Sequence, residues 1–237
     1  MIHIRNFIAV LIGSLCPLAA QAQDEAIRKV TIRAFLNQST PAAGGLFVHD
    51  SPNSLTALDL TRGELPAGQM VALIDGKLTL FNTSSMDPQK LKGGVVGAVS
   101  VPPSIDHAIA IIQPRGDGKP GYGVVLIDDS FSAFPRGESR VVSFTTFPTA
   151  LQVGEHKIPA ASGKITKVPV VKKVDAYNMA QTNFYYKRET AWIPFSESKL
   201  KYLDAYRQVF ICSVRAGGKS PMLTTLIDDS KPPAKDE

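Results

Sequence analysis

Leu126-Ile127-Asp128-Asp129-Ser130 returns as Leu226-Ile227-Asp228-Asp229-Ser230. The likeness runs backwards from there without a gap. Residues 108–130 read AIAIIQPRGDGKPGYGVVLIDDS and residues 208–230 read QVFICSVRAGGKSPMLTTLIDDS, identical at nine of 23 positions. Each copy is an apolar run, a Gly-Lys turn and a second apolar run that closes on two aspartates. Two short apolar runs about a Gly-bearing turn are the pattern of a β-hairpin. Its return after one hundred residues implies a duplicated β module.

A second echo has the spacing that duplication requires. Arg33-Ala34-Phe35 precedes Ser39-Thr40-Pro41, and Arg140-Val141-Val142 precedes Thr146-Phe147-Pro148. Each is a strand-like run near the start of its proposed module. Seventeen prolines and eighteen glycines punctuate short apolar runs along the 237 residues, a rhythm of sandwiches and not of helix bundles. The expected fold is all-β: two tandem immunoglobulin-like β-sandwich modules, 28–130 and 131–230, followed by a flexible tail at 231–237.

The N-terminus has the three parts of a secretory signal. Arg5 lies in a short polar start, Phe7 to Leu15 is almost wholly apolar, and Ala20-Gln21-Ala22 is a small-x-small cleavage site. A signal peptide over 1–22 places the protein in the periplasm or outside the cell. Cys16 follows Leu15, where a lipid-modified cysteine follows a small residue, so it reads as a member of the apolar run. No later apolar run reaches membrane-spanning length. Cys212 is then the one cysteine of the remaining chain and has no partner for an internal disulfide. Its setting, Val209-Phe210-Ile211-Cys212-Ser213-Val214, suits a buried small side chain better than a reactive thiol.

The formal charge of +5 falls to +4 without residues 1–22, which hold Arg5 and no acid. Charges of both signs are scattered, and the sequence carries no nucleic-acid recognition motif, so nucleic-acid binding is not expected. A mildly basic exported protein suits anionic envelope polymers or lipid headgroups.

Local signals fill in the strands. Lys29 to Asn37 alternates, with Val30, Ile32, Ala34 and Leu36 on one face. Met70 to Ile74 and Lys77 to Asn82 flank Asp75-Gly76, which suits a two-residue type I′ turn. Residues 83–94 read as a loop. Gly154-Glu155-His156 separates two more strand-like runs. Leu200, Leu203 and Tyr206 share a three-residue spacing that predicts a short helix over 196–206.

The candidate chemistry is sparse. Asp128/Asp129 and Asp228/Asp229 offer hard oxygens for a cation, but neighbours on a strand point to opposite faces. A polar strand end that caps a turn through Asp and Ser competes with that reading. His49, His107 and His156 fall in separate segments, lack metal-ligand spacing and read as surface-loop residues. His49-Asp50-Ser51 contains triad residue types, but contiguous residues do not give triad geometry. Arg115-Gly116-Asp117 reads as a turn. No cofactor, metal site or catalytic residue is expected.

The aromatics are the strongest surface signal. Tyr177, Phe184, Tyr185, Tyr186, Trp192, Phe195, Tyr202 and Tyr206 interleave with Lys187, Arg188, Lys199 and Lys201. Three consecutive aromatics at 184–186 place rings on both faces of any strand. The candidate binding residues are Tyr185, Tyr186, Lys187, Arg188 and Trp192.

Phe134-Pro135-Arg136-Gly137, Arg140-Val141-Val142-Ser143-Phe144, Gly154-Glu155-His156-Lys157, Trp192 and Arg207-Gln208-Val209-Phe210 resemble a group of uncharacterised bacterial exported all-β proteins. The resemblance covers much of 122–230 and implies an exported β fold without assigning an activity. Four readings remain. The first is a non-catalytic envelope or extracellular module that binds a protein partner or a surface polymer. The second is a carbohydrate-binding protein with Trp192 as its platform. The third is a hydrolase whose site assembles only in the fold. The fourth is a periplasmic assembly chaperone that accepts a strand at an open edge.

Overall fold

The computed structural model describes residues 27–37, 45–61, 63–115, 119–215 and 218–231. The proposed signal peptide with Cys16, the Ser39-Thr40-Pro41 echo, Gly116 and Asp117, and residues 232–237 of the tail lie outside the described residues. In chain order the first module has β1 (Lys29–Leu36), β2 (Phe47–Ser51), β3 (Ser54–Ala57), β4 (Gln69–Ala72), β5 (Lys77–Phe81), α1 (Pro88–Gly94), β6 (Val95–Ser100), β7 (His107–Pro114) and β8 (Tyr122–Asp128). The second has β9 (Ser139–Ser143), β10 (Thr149–Val153), β11 (His156–Ala160), β12 (Ile165–Val168), β13 (Met179–Arg188), β14 (Ala191–Lys201), β15 (Arg207–Val214) and β16 (Pro221–Asp228).

The two modules share one topology. Module 1 has sheets β4-β1-β7-β8 and β3-β2-β5-β6, and module 2 has β12-β9-β15-β16 and β11-β10-β13-β14. Adding eight to each strand number of the first pair gives the second. In both modules the first strand runs parallel to the seventh. Arg33 lies opposite Ile109 and Arg140 opposite Val209, so the short Arg-led echo is a structural equivalence as well. The all-β, two-unit sandwich expected from the duplication is what the chain adopts.

Three cores stack the four sheets. Val30, Ile32 and Ala34 meet Leu78 and Leu80 between the sheets of module 1. Val141, Phe210 and Cys212 meet Leu151 and Phe184 between those of module 2. A third core joins the modules, where Phe35, Ile109, Ile111 and Ile127 pack on Val142, Val209, Ile211 and Leu226. The sheets carrying β1 and β9 are therefore inner layers, covered on both faces. That explains why β7 and β15 read as unbroken apolar runs while most other strands alternate. Cys212 is buried as expected, and burial pushes its thiol up to about 12.

Several local expectations need correction. Asp75 and Gly76 do have positive φ, 51° and 67°, as a type I′ turn demands. The flanking strands nevertheless part after one bridge, Ile74 to Lys77. β4 joins the inner sheet and β5 the outer one. No helix covers 196–206. Leu200 faces the core from β14, whereas Leu203 and Tyr206 belong to the turn that follows. Pairing of 191–201 with β13 outweighs a three-residue spacing. The helix lies instead in the expected loop. There Asp87 Oδ1 accepts from the amides of Gln89 and Lys90, both at 3.1 Å, and Pro88 starts the first turn. The histidines sit on strands β2, β7 and β11, not in loops. His49 is buried edge-on against Phe81, with ring centroids 5.1 Å apart. No helix among the described residues is long and apolar enough to cross a membrane.

Candidate functional site

The outer sheet of module 2 sorts its aromatics by alternation. On β13, Ala180, Thr182, Phe184 and Tyr186 point into the core, while Gln181, Asn183, Tyr185 and Lys187 point outward. Phe184 packs on Phe210 and Phe195, at 5.3 and 6.0 Å. Tyr202 is also internal, where its hydroxyl bonds Thr182 Oγ1 at 2.8 Å and burial pushes it up to about 12.

Of the five expected binding residues, Tyr186 is removed by the structure. It is buried, tilted against Phe147 at 5.2 Å and packed on Phe195 at 6.2 Å, because its strand position faces the core. Arg188 is exposed at the hairpin end, opposite Ala191. Tyr185, Lys187 and Trp192 share the outer face. Lys187 is directly opposite Trp192, and Tyr185 is opposite Pro194, so Tyr185 and Trp192 are diagonal neighbours. Trp192 is 48% exposed on an edge strand.

These residues border a groove. In one cross-strand row Pro159, Ala150, Tyr185 and Pro194 lie side by side; in the next come Lys157, Gln152, Asn183 and Glu197. Ala150 is small where its neighbour Tyr185 is large, and the mismatch leaves a hollow of ≈ 380 Å³ walled by Tyr185 and Trp192. Polar groups run in a chain along the outer face of β13 to the Tyr185 wall. Gln181 Nε2 donates to Asn183 Oδ1 at 2.6 Å, and Asn183 Nδ2 donates to the Tyr185 hydroxyl at 3.2 Å. The arrangement provides flat apolar surface beside amide donors, acceptors and the Lys157 ammonium. Such a surface can stack rings and hydrogen-bond hydroxyls.

A second constellation escaped the sequence reading. Arg207, at the head of β15, has a side chain only 1% exposed. Its Nε donates to Asp228 Oδ2 at 2.9 Å, and its Nη2 donates to the same oxygen and to Asp129 Oδ1 at 2.7 Å. Its Nη1 donates to the backbone oxygens of Asp129 and Phe134, at 3.1 and 3.0 Å. Arg33, from module 1, donates to Asp228 Oδ1 at 2.8 Å. Two arginines and two aspartates thus close the module junction. Burial alone would raise the Asp228 carboxyl. The hydrogen bond from Arg33 and the charges of Arg207 and Arg33 outweigh it and hold Asp228 well below the usual carboxylate range. At Asp129 burial wins over the same arginines, and its carboxyl is pushed up.

One aspartate of each repeated pair, Asp129 and Asp228, therefore contacts arginine, and no group of three or more His, Cys, Asp or Glu side chains suited to a metal occurs among the described residues. The turn-capping role is present in both copies. Asp128 Oδ1 accepts from the Ser130 amide at 2.9 Å, and Asp228 Oδ1 from the Ser230 amide at 3.2 Å. One signal for the junction was visible: an arginine at the head of an otherwise apolar strand must find partners once buried.

No family model matches the chain, and no curated protein sequence matches it. What it can bind rests on these two constellations. The junction holds the modules together. The groove faces outward with its side chains free to meet a partner.

Proposed function

We propose that the protein is an exported, non-catalytic binding module that holds a surface polymer of carbohydrate type across the outer sheet of module 2. The observation that carries this reading is the half-exposed Trp192, set beside Tyr185 around a hollow lined by Gln152 and Lys157, with Asn183 in the neighbouring cross-strand position. An exposed tryptophan costs solubility unless something covers it, and a sugar ring presents the flat C–H face that an indole accepts. Amides and a lysine alongside supply hydrogen bonds to hydroxyls. Export rests on the signal pattern at 1–22.

The test is affinity electrophoresis through gels that contain neutral or acidic soluble polysaccharides. Retardation of the wild type, lost in Trp192→Ala and Tyr185→Ala with an unchanged circular-dichroism spectrum, supports the proposal. No retardation by any polysaccharide, together with a cross-linked envelope protein lost in Trp192→Ala, would move the same surface to a protein partner.

A further inference from the structure

Arg33, Asp129 and Arg207 of the ion cluster form the floor of a cleft of ≈ 760 Å³ between the modules, twice the volume of the outer groove. Its walls come from four parts of the chain: Thr31 and Arg33 of β1 with the 65–68 segment, His107 at the head of β7, the Asp129–Phe131 stretch between modules, and Arg207 with Ser230 of module 2. Clefts of this size at module boundaries are where small ligands usually bind.

The chemistry of the floor selects the ligand. Two guanidiniums meet two carboxylates, those of Asp129 and Asp228, so the formal charge is balanced. An ionic ligand would find no unpaired charge among these four groups to receive it, at the cost of its own desolvation. Arg207 has already committed its Nε, Nη1 and Nη2 to Asp129, Asp228, Phe134 and Ser230, and is not an anion receptor. Spare capacity lies elsewhere. Arg33 Nη1 is 3.5 Å from both Asp129 Oδ2 and Ser230 Oγ, the outer limit of a hydrogen bond. A donor and an acceptor therefore stand side by side and hold each other loosely. A hydroxyl placed between them accepts from the guanidinium and donates to the carboxylate at once. Thr31 adds a hydroxyl, and Leu65 and Phe131 add apolar wall.

We propose that this cleft binds a small neutral polyhydroxylated ligand, one or two sugar units in size, with a hydroxyl bridging Arg33 and Asp129. Bound there, the ligand touches both modules and the chain between them. The proposal is independent of the outer groove, with which it shares no residue.

The experiment is a ¹H–¹⁵N chemical-shift titration with four probes: methyl α-glucoside, N-acetylglucosamine, acetate and inorganic phosphate. The expected result is saturable shifts with a neutral sugar at Thr31, Gly68, Ser130, Phe131 and Ser230, and none with the anions. Ala67→Trp fills the mouth from an exposed position and should weaken binding at least about tenfold. Thr31→Val, which deletes one hydroxyl at nearly constant size, should weaken it less while leaving the spectrum folded. Three results would overturn the proposal: no saturable shift with either sugar, shifts confined to residues around Trp192, or tighter binding of phosphate or acetate than of sugar. Sugar shifts confined to Trp192 would leave the outer-groove reading standing, so the two can fail separately.

Discussion

The two copies of Leu-Ile-Asp-Asp-Ser are identical in sequence and opposite in orientation. In module 1, Ala108 lies opposite Asp128 and Ile109 opposite Ile127; in module 2, Arg207 lies opposite Asp228 and Val209 opposite Leu226. The pairing has slipped by one residue. The cause is the connection between the hairpin strands, seven residues at 115–121 but six at 215–220. A slip of one residue exchanges the faces of a strand. Ile127 therefore packs in the inter-module core at 2% exposure, while Ile227 is 60% exposed and Leu226 takes the inward place.

The same slip makes the ion cluster. Asp129, whose amide donates to the His107 carbonyl, and Asp228, opposite Arg207, are the structural counterparts. The fourth residue of one copy and the third of the other thus converge on a single arginine. Position 107 is His in module 1 and exposed, whereas its counterpart Arg207 is buried. Duplicated sequence has produced one junction and not two. A pentapeptide does not by itself fix which of its residues is structural.

Arg207→Ala should have the largest effect, about 4 kcal/mol of lost stability, because it leaves Asp129 and Asp228 buried without their shared partner. His107→Ala, at the matching position, should stay within about 0.5 kcal/mol. Urea midpoints of the two variants decide this, and equal losses would undo the asymmetry.

The isoleucines come next. Ile127→Ala should cost about 3 kcal/mol through an unfilled inter-module core. Ile227→Ala, identical in chemistry but made at an exposed site, should cost about 0.5 kcal/mol at most. Thermal melts that rank them the other way round would show that the register does not slip.

The aspartates give a smaller difference with a pH signature. Asp228→Asn should lose about 2–3 kcal/mol at neutral pH and Asp128→Asn about 1 kcal/mol or less, since Asp228 serves two arginines and Asp128 only a turn. The carboxyl of Asp228 titrates lower in the folded protein than in the unfolded chain. Its stabilisation is present above the ordinary carboxylate range and fades as pH falls from about 4 towards the folded value. The gap between wild type and Asp228→Asn should narrow in that window. Asp129 has the opposite sign: raised by burial, it contributes most below the ordinary range and loses that as pH rises through its folded value. Urea titrations from neutral pH down through the carboxylate range read both. Smallest of all should be the stability change in Trp192→Ala, about 0.5 kcal/mol or less, while the same variant should lose the glycan retardation proposed for the outer groove.

Much of the architecture was legible because it is written in short-range chemistry. Asp75-Gly76 specifies its turn conformation, Gly154-Glu155 joins β10 to β11, and the parallel inner strands betray themselves as continuous apolar runs. At the groove, alternation alone required that one of Phe184, Tyr185 and Tyr186 face outward. Which one followed only from the pairing of β13 with β10 and β14, and it is Tyr185. The helix at 88–94 was missed although Asp87-Pro88 is a start signal, because the polar stretch around it carries no apolar periodicity.

By itself the sequence determined a duplicated all-β chain, the repeated hairpin and the aromatic segment that borders the outer groove. Alternation, turn residues and repetition are properties of neighbours along the chain. Only the tertiary structure decided that Ile127 is core and Ile227 is surface, that Tyr186 is internal, and that Arg33 and Arg207 clasp aspartates 195, 78 and 21 residues away. Those outcomes depend on register and on the stacking of the inner sheets. Both are set by loop length and by which faces can be buried together, and no local stretch of sequence carries that information alone.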